Sequence, residues 1–492
     1  MESHSKLFDY LDELKKIESE LNPQLPVRSD ENWSKFFAWI DAELCAASDQ
    51  NEKTKLSDQV DVLRMGSSER YRPEEDYVLI AKVPFKKGET LFKIDRRIML
   101  TTETATKDDD LFEFMKNDSI ASGMQNVVAV LHLLNEYSKG EQSFWWPYLS
   151  ILPPKLLPVL MLDKQSIVNL MPSAHLFEAL KMIRAIARQY SYFCKRFQSV
   201  RNLPLCKDFT FVYYAWGVSI VCSRQNEIPT LDRQACSAPT VHALIPILDM
   251  CNHNPKSNQA MFENNQSSLV ATEDLHPYFE ISINYGCRSS GEFYIHNGFV
   301  PHQVPADFIP LTIALNKRDS LVEAKTKLLT ILNMPTFGRF KLTNQQSACG
   351  TSKKSDSYSC RNKRDPHLTM FLIVLCLNEQ ELELILNSPN PVGIADEIYE
   401  FVQYQQVPID EKCKQTDNNK QKANGESQEQ AEELLAMKRR LFQAVHDYLS
   451  KRASVCVAII DRTLDSNNAP LDEFLTRLLQ HEKAIYNLQI KS

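Results

Sequence analysis

Three short stretches put polar side chains where the surrounding pattern calls for a core. In SRQNEIPT (223–230), Arg224 and Asn226 close an apolar helical run. In ALIPILDMCNH (243–253), an apolar run gives way to Asp249, Asn252 and His253. In INYGCRSSGEFYIHNGF (283–299), a strand-like start breaks at Tyr285-Gly286 and then turns helical. A phenol, carboxamides and an Asn-His corner can orient reacting groups and stabilise developing charge through hydrogen bonds, with no covalent enzyme intermediate. Singly, each has a plainer reading: an Asn-His pair after a strand closes a turn, a lone Tyr285 is a core aromatic with a bonded hydroxyl, and Arg224 favours a helix C-terminus. The aromatic cluster Phe211, Tyr213, Tyr214 and Trp216 reads as core.

The composition narrows the chemistry. In 492 residues, 56 Lys+Arg against 63 Asp+Glu give a net charge of -7, which argues against a nucleic-acid binder that must neutralise phosphates. Glycine is scarce, 12 against 24 prolines, and no phosphate-cradling glycine motif occurs. The twelve cysteines form no C-x-x-C, so no metal site is expected and the thiols read as free, as in the cytoplasm or nucleus. The start, MESHSKLFDYLDELKK, lacks the pattern of a signal peptide. No apolar run approaches the roughly 20 residues of a membrane span.

The elements that must position these residues follow from periodicity. Leu7, Tyr10, Leu11, Leu14, Ile17 and Leu21 fall at helical spacing, predicting a peripheral amphipathic helix over 3–21. Residues 48–75 are polar and read as loop. Tyr77–Val83 and Thr90–Ile94 read as strands, paired across the turn signal Pro84–Gly88. From about 110 to 225 the pattern is helical; from 243 to 300 short strand-like pieces return. Strands on both sides of a helical insert imply one β-rich module assembled from separated segments. After about 305 the chain reads helical, interrupted by polar stretches at 343–366 and 408–430. The expected organisation is an N-terminal extension (1–69), a β-rich domain with its insert (70–300) and a C-terminal helical domain (305–492).

Taken together, FWWPYLSILP (144–153), ARQYSYF (187–193), SRQNEIPT, ALIPILDMCNH and NYGCRSSGEFYIHNGF resemble the SET-domain protein methyltransferases. The subgroup is the one with a large helical insert and a helical C-terminal domain, typified by the plant Rubisco lysine methyltransferase. RQN-x-IPT points to its histidine-modifying branch, whose substrate is actin. The resemblance implies an α+β fold: a β-rich SET core with a threaded, pseudoknot-like segment, the α-helical insert, and a C-terminal α-helical substrate-binding domain. It implies S-adenosyl-L-methionine as methyl donor, held by Arg224, by Asp249, Met250, Cys251, Asn252 and His253, and by Asn297, Gly298 and Phe299. It implies Tyr285 as the active-site tyrosine that orients the sulfonium methyl and the incoming nitrogen, and Leu248, Ile283 and Arg288 on the substrate side.

Asn226 carries the choice of substrate. Lysine, near pKa 10.4, must lose a proton before attacking, whereas imidazole, near 6.5, is mostly neutral at pH 7. A histidine enzyme therefore needs control of the tautomer. An amide oxygen can accept the N–H of the ring nitrogen that is not methylated, which the phenylalanine common there in lysine-modifying relatives cannot do. The expected partner is accordingly actin, acted on by a monomer, without nucleic acid or membrane. Three positions depart from the family pattern. Glu75-Asp76-Tyr77-Val78-Leu79 lacks the usual glycines, Ile80 stands where an arginine meets the donor carboxylate (Arg96 or Lys82 being the nearby replacements), and Leu248 replaces a tryptophan. These keep two alternatives open: a lysine methyltransferase of a non-histone protein, and a degenerate scaffold that binds a partner without catalysis.

Overall fold

The computed structural model describes residues 2–47, 55–64, 77–200, 202–231, 239–343, 365–404, 425–465 and 472–491. Glu75, Asp76 and most of the polar stretches at 343–366 and 408–430 lie outside them. The chain divides into two compact units. One comprises 1–168, 177–288 and 292–303; the other comprises 169–176, 289–291 and 304–492.

The first unit is α+β. Its strands come from both sides of the helical insert: Leu100–Thr101 pairs with Thr240–Leu244, which pairs in turn with Asn226–Pro229, and Thr90–Asp95 pairs with Gln266–Val270, itself paired with Met261–Glu263. The insert includes the helices Gln125–Ser138, Leu176–Phe197 and Phe211–Arg224. The last is buried almost throughout, with Tyr213, Tyr214 and Trp216 fully enclosed and the Trp216 indole N–H donating to the Pro153 carbonyl at 2.9 Å. A short parallel pair, Asn252–His253 with Ser282–Ile283, threads the two site-bearing segments past each other. It is extended by Asn254 N–H to the Ile283 carbonyl and Asn284 N–H to the Asn258 carbonyl.

Some local expectations are corrected. Tyr77–Ala81 and Thr90–Asp95 do not pair with each other. Tyr77–Ala81 pairs with Val60–Arg64, a strand within the stretch read as loop, and the turn between the two runs is fastened to 271–275 through Gly88 and Phe85. VDVLR alternates too briefly to signal a strand by itself, and the 271–275 partner is distant in sequence. On the N-terminal helix Glu2–Ile17, Phe8 and Leu11 are buried while Tyr10 and Ile17 are exposed, so the buried stripe is narrower than spacing suggested.

The second unit is mainly helical, but Phe308–Ala314 and Phe337–Thr343 form an antiparallel pair where only helix was expected. Ile309, Leu311 and Ile313 alternate inward against Phe340 and Leu342, the period-two pattern of a half-buried ladder. Glu482 binds the segment at 173–175, accepting from the Ser173 hydroxyl at 2.5 Å and the Ala174 amide at 3.0 Å. Gly425–Asp465 is helical, so the end of the 408–430 stretch is helix.

Candidate active site

Arg224 sits on the last turn of its helix. Gln225 is already extended (φ -67, ψ 145), so Asn226 opens a strand against Ala243. The Arg224 Nη1 donates to the Asp249 carbonyl oxygen at 2.5 Å and lies 3.5 Å from its Oδ2. Tyr148 donates its hydroxyl to the same Oδ2 at 2.5 Å. Burial pushes the Asp249 carboxyl above its ordinary range, opposed chiefly by the Arg224 charge. The Tyr148 phenol, raised by burial and by the carboxylate beside it, stays a neutral donor. The buried Arg224 Nε and Asp249 Oδ1 have no hydrogen-bond partner among the described residues, an arrangement suited to a polar ligand because orphaned buried groups are costly.

The turn leading into Asp249 is strained. Ile247 has φ 70 and ψ -54, and the Leu248 N–H donates to the Pro246 carbonyl at 2.9 Å. This is the rare form of the γ-turn, unfavourable for a β-branched residue. It reverses the chain so that Leu248 and Asp249 are both enclosed while Met250 is half-exposed.

Tyr285 is joined to the Asn-His segment at both ends. Its hydroxyl donates to the Cys251 carbonyl at 2.8 Å, and its backbone N–H donates to the His253 Nδ1 at 3.1 Å. That second bond fixes the His253 tautomer with the proton on Nε2. Burial, then the Arg288 charge, lower the His253 pKa to about 4, so the ring is neutral at physiological pH. His253, Tyr285, Phe293 and Phe299 form one aromatic group with neighbouring centroids 4.8–6.5 Å apart. Immediately after Tyr285 the chain bends at Gly286 (φ 89), whose N–H is taken by the Asn284 Oδ1 at 2.9 Å.

The remaining candidates attach to the same frame. Asn226 Nδ2 donates to the Arg224 carbonyl at 3.2 Å. Asn252 Nδ2 donates to Glu280 Oε1 at 2.5 Å. Asn297 links two segments, accepting from Arg288 Nη1 at 2.8 Å and donating to the Ser223 carbonyl at 3.4 Å. Ile283 and Leu248 are buried, and Phe299 is half-buried. Gly298 is left-handed (φ 77), and a Cβ there would lie 2.3 Å from the Leu157 backbone. Gly298→Ala should therefore lower stability by about 2 kcal/mol or more, checked by urea denaturation; an unchanged midpoint would refute the clash.

Neither expected replacement for the arginine absent at Ile80 is available. Arg96 is committed to Glu103 and the Pro229 carbonyl, and Lys82 donates to the Ser57 carbonyl and lies 4.0 Å from the Asp61 carboxylate. The structure instead brings Arg28 near Asp249, close enough for its charge to lower that carboxyl's pKa. Arg28 donates to the Ile151 carbonyl at 2.8 Å and lies over the Tyr77 ring, 5.5 Å from its centroid. Sequence reading missed Arg28, Tyr148 and Glu280. Arg28 sits in a polar connector with no motif, and Tyr148 lay within FWWPYLSILP but read as packing. Glu280 immediately precedes the strand-like start that carries Tyr285, a position that gave a faint signal. Among the described residues no cluster of His, Cys, Asp and Glu could hold a metal ion, and no helix is long and apolar enough to cross a membrane.

Residues 76–286 match the family model described as the SET domain. The chain is 32% identical over 316 residues to the actin-histidine N-methyltransferase of Xenopus tropicalis, covering 63% of this chain and 51% of that protein. It is 32% identical over 315 residues to the protein of that name from Gallus gallus, covering 63% and 50%. The chain thus spans about half the length of the curated relatives it matches. In fold it is similar to the crystal structure of the SET domain of LSMT bound to lysine and AdoHcy, with a TM-score of 0.62 at 14% identity over 94% of this chain and 92% of that one.

Proposed function

Because this chain carries a SET domain, we propose that it is an S-adenosylmethionine-dependent protein-histidine N-methyltransferase with actin as substrate. The observation that carries the reading is the pair of bonds tying Tyr285 to the Cys251 carbonyl and to His253, with Arg224 on the neighbouring Asp249 carbonyl. S-adenosylmethionine supplies, when bound, an electrophilic methyl on a sulfonium cation. Its holders would be Arg224, Asp249, Met250, Cys251, Asn252, His253, Asn297, Gly298 and Phe299. The orphaned polar atoms of Arg224 and Asp249 support a polar ligand here, and Arg28 is the cation we assign to the donor's carboxylate.

The chain's own part in transfer is positioning. Tyr285, with its phenol on a backbone carbonyl and its ring among His253, Phe293 and Phe299, is held where it can align the methyl with an attacking nitrogen. The Asn226 amide supports a histidine acceptor. A carbonyl oxygen accepts only, so the Asn226 atom facing the Arg224 carbonyl is the NH₂, and the amide oxygen is turned to the other side. There it can take the N–H of one ring nitrogen and leave the lone pair of the other for attack. Ile283 and Leu248 would form the apolar wall, and Arg288, braced by Asn297, the polar contact to the target peptide. We place the protein in the cytoplasm, with the nucleus as a second compartment, acting as a monomer.

Recombinant unmethylated actin, incubated with the protein and S-adenosylmethionine and mapped by mass spectrometry, tests the substrate. A methylated histidine is expected; methyl on lysine alone, or none, overturns the reading. Asn226→Phe should lower histidine methylation at least tenfold, about the worth of one hydrogen bond whose partner is left buried. Unchanged activity would remove the tautomer role.

A further inference from the structure

We propose that Glu280 is a positioning residue for the methyl donor: it fixes the Asn252 carboxamide with its carbonyl oxygen presented to accept from the donor's ammonium group. The inference rests on the donor site proposed above and goes beyond it by assigning a role to a residue outside that set.

The argument begins with the 2.5 Å contact between Asn252 Nδ2 and Glu280 Oε1. An ionised carboxylate offers acceptors only, so the Asn252 atom facing it must be the NH₂. The choice between the two amide orientations, open for most asparagines, is settled here by the partner. The amide oxygen consequently faces the opposite side. Glu280 is itself held without help from Asn252, since its backbone bridges Ile80 and the next residue, Ile281, donates its N–H to the Leu79 carbonyl at 2.8 Å. Asn252 is anchored by its parallel pairing with Ser282. Two independently fixed backbones therefore set one side chain, and the amide loses the rotation that would present its NH₂ to a ligand.

Charge points the same way. The Glu280 carboxylate accepts from the Asn252 amide. A charge-assisted bond at the NH₂ polarises the carbonyl at the other end. The amide then presents a strengthened acceptor, suited to a cation and unsuited to a carboxylate. Of the groups on the donor's amino-acid end, the ammonium is the match.

Calorimetry with S-adenosylhomocysteine tests this, because that ligand keeps the amino-acid end and lacks the sulfonium charge. Glu280→Gln lets the amide take either orientation and should weaken binding about tenfold, the scale of one charge-assisted hydrogen bond. Asn252→Asp, at mildly alkaline pH where two adjacent carboxylates repel, should weaken it at least as much. The double variant N252D/E280Q restores the arrangement, because the Gln NH₂ donates to the Asp and the second Asp oxygen faces the ligand. Its affinity should return to within a few-fold of wild type. A purely structural Glu280, or one touching the ligand directly, gives losses that add in the double variant and overturns the proposal. So does Glu280→Gln binding as wild type does. If wild type itself gives no heat with this ligand, the donor site is refuted, an outcome distinct from failure of the pair to rescue. Melting of the ligand-free variants checks that each is folded.

Discussion

Tyr285→Phe should slow methyl transfer about 10²-fold or more while leaving donor affinity nearly unchanged. The ring keeps its place, because its backbone N–H still donates to His253 and its face still meets Phe293 and Phe299. What disappears is the hydroxyl at 2.8 Å from the Cys251 carbonyl, and with it the polar fix proposed for the reacting centre. Misplacement of reacting atoms by a fraction of the productive geometry costs about 10²-fold, and loss of one oriented dipole in an enclosed site costs about 10²–10³-fold. Single-turnover kinetics with saturating donor would read the loss, and calorimetry would read donor binding. A rate within a few-fold of wild type would show that the phenol does not position the reaction.

The second large effect is on stability. Arg224→Met removes the principal charge opposing the buried Asp249 carboxylate. Breaking a buried pair from one side typically costs about 3–5 kcal/mol, because the remaining charge is left uncompensated. The pH dependence has a definite sign. Burial raises the native pKa of Asp249 above its unfolded value, so between the two the native state binds more protons than the unfolded state. Stability therefore falls as pH rises through that window. Without Arg224 the native pKa rises further and the window extends upward. The penalty of Arg224→Met should accordingly shrink in acid, as pH falls below the native pKa and Asp249 takes up its proton, and be larger near neutrality. Urea denaturation at the two pH values measures it, and a penalty that is equal at both, or larger in acid, would refute the account. Donor binding should weaken in parallel, since the same guanidinium holds the Asp249 backbone carbonyl.

By itself the sequence determined the class of fold and singled out candidate residues for chemistry. Arg224, Asn226, Asp249, Asn252, His253 and Tyr285 stood out because each interrupts an apolar pattern at an element boundary. Those boundaries are local: the buried run of the helix stops at Val221, one turn before Arg224, and Gly286 marks a bend that only a left-handed residue takes easily. Tertiary structure decided which groups meet. Tyr285 reaches Cys251 across 34 positions, Arg224 reaches Asp249 across 25, and Asn252 reaches Glu280 across 28. Arg28 comes near Asp249 from a connector with no pattern, and Val60–Arg64 becomes a strand only because Tyr77–Ala81 offers its edge. Periodicity records which side of an element is buried. It carries no record of the distant partner that satisfies a strand edge or neutralises a charge, so those assignments had to come from the folded chain.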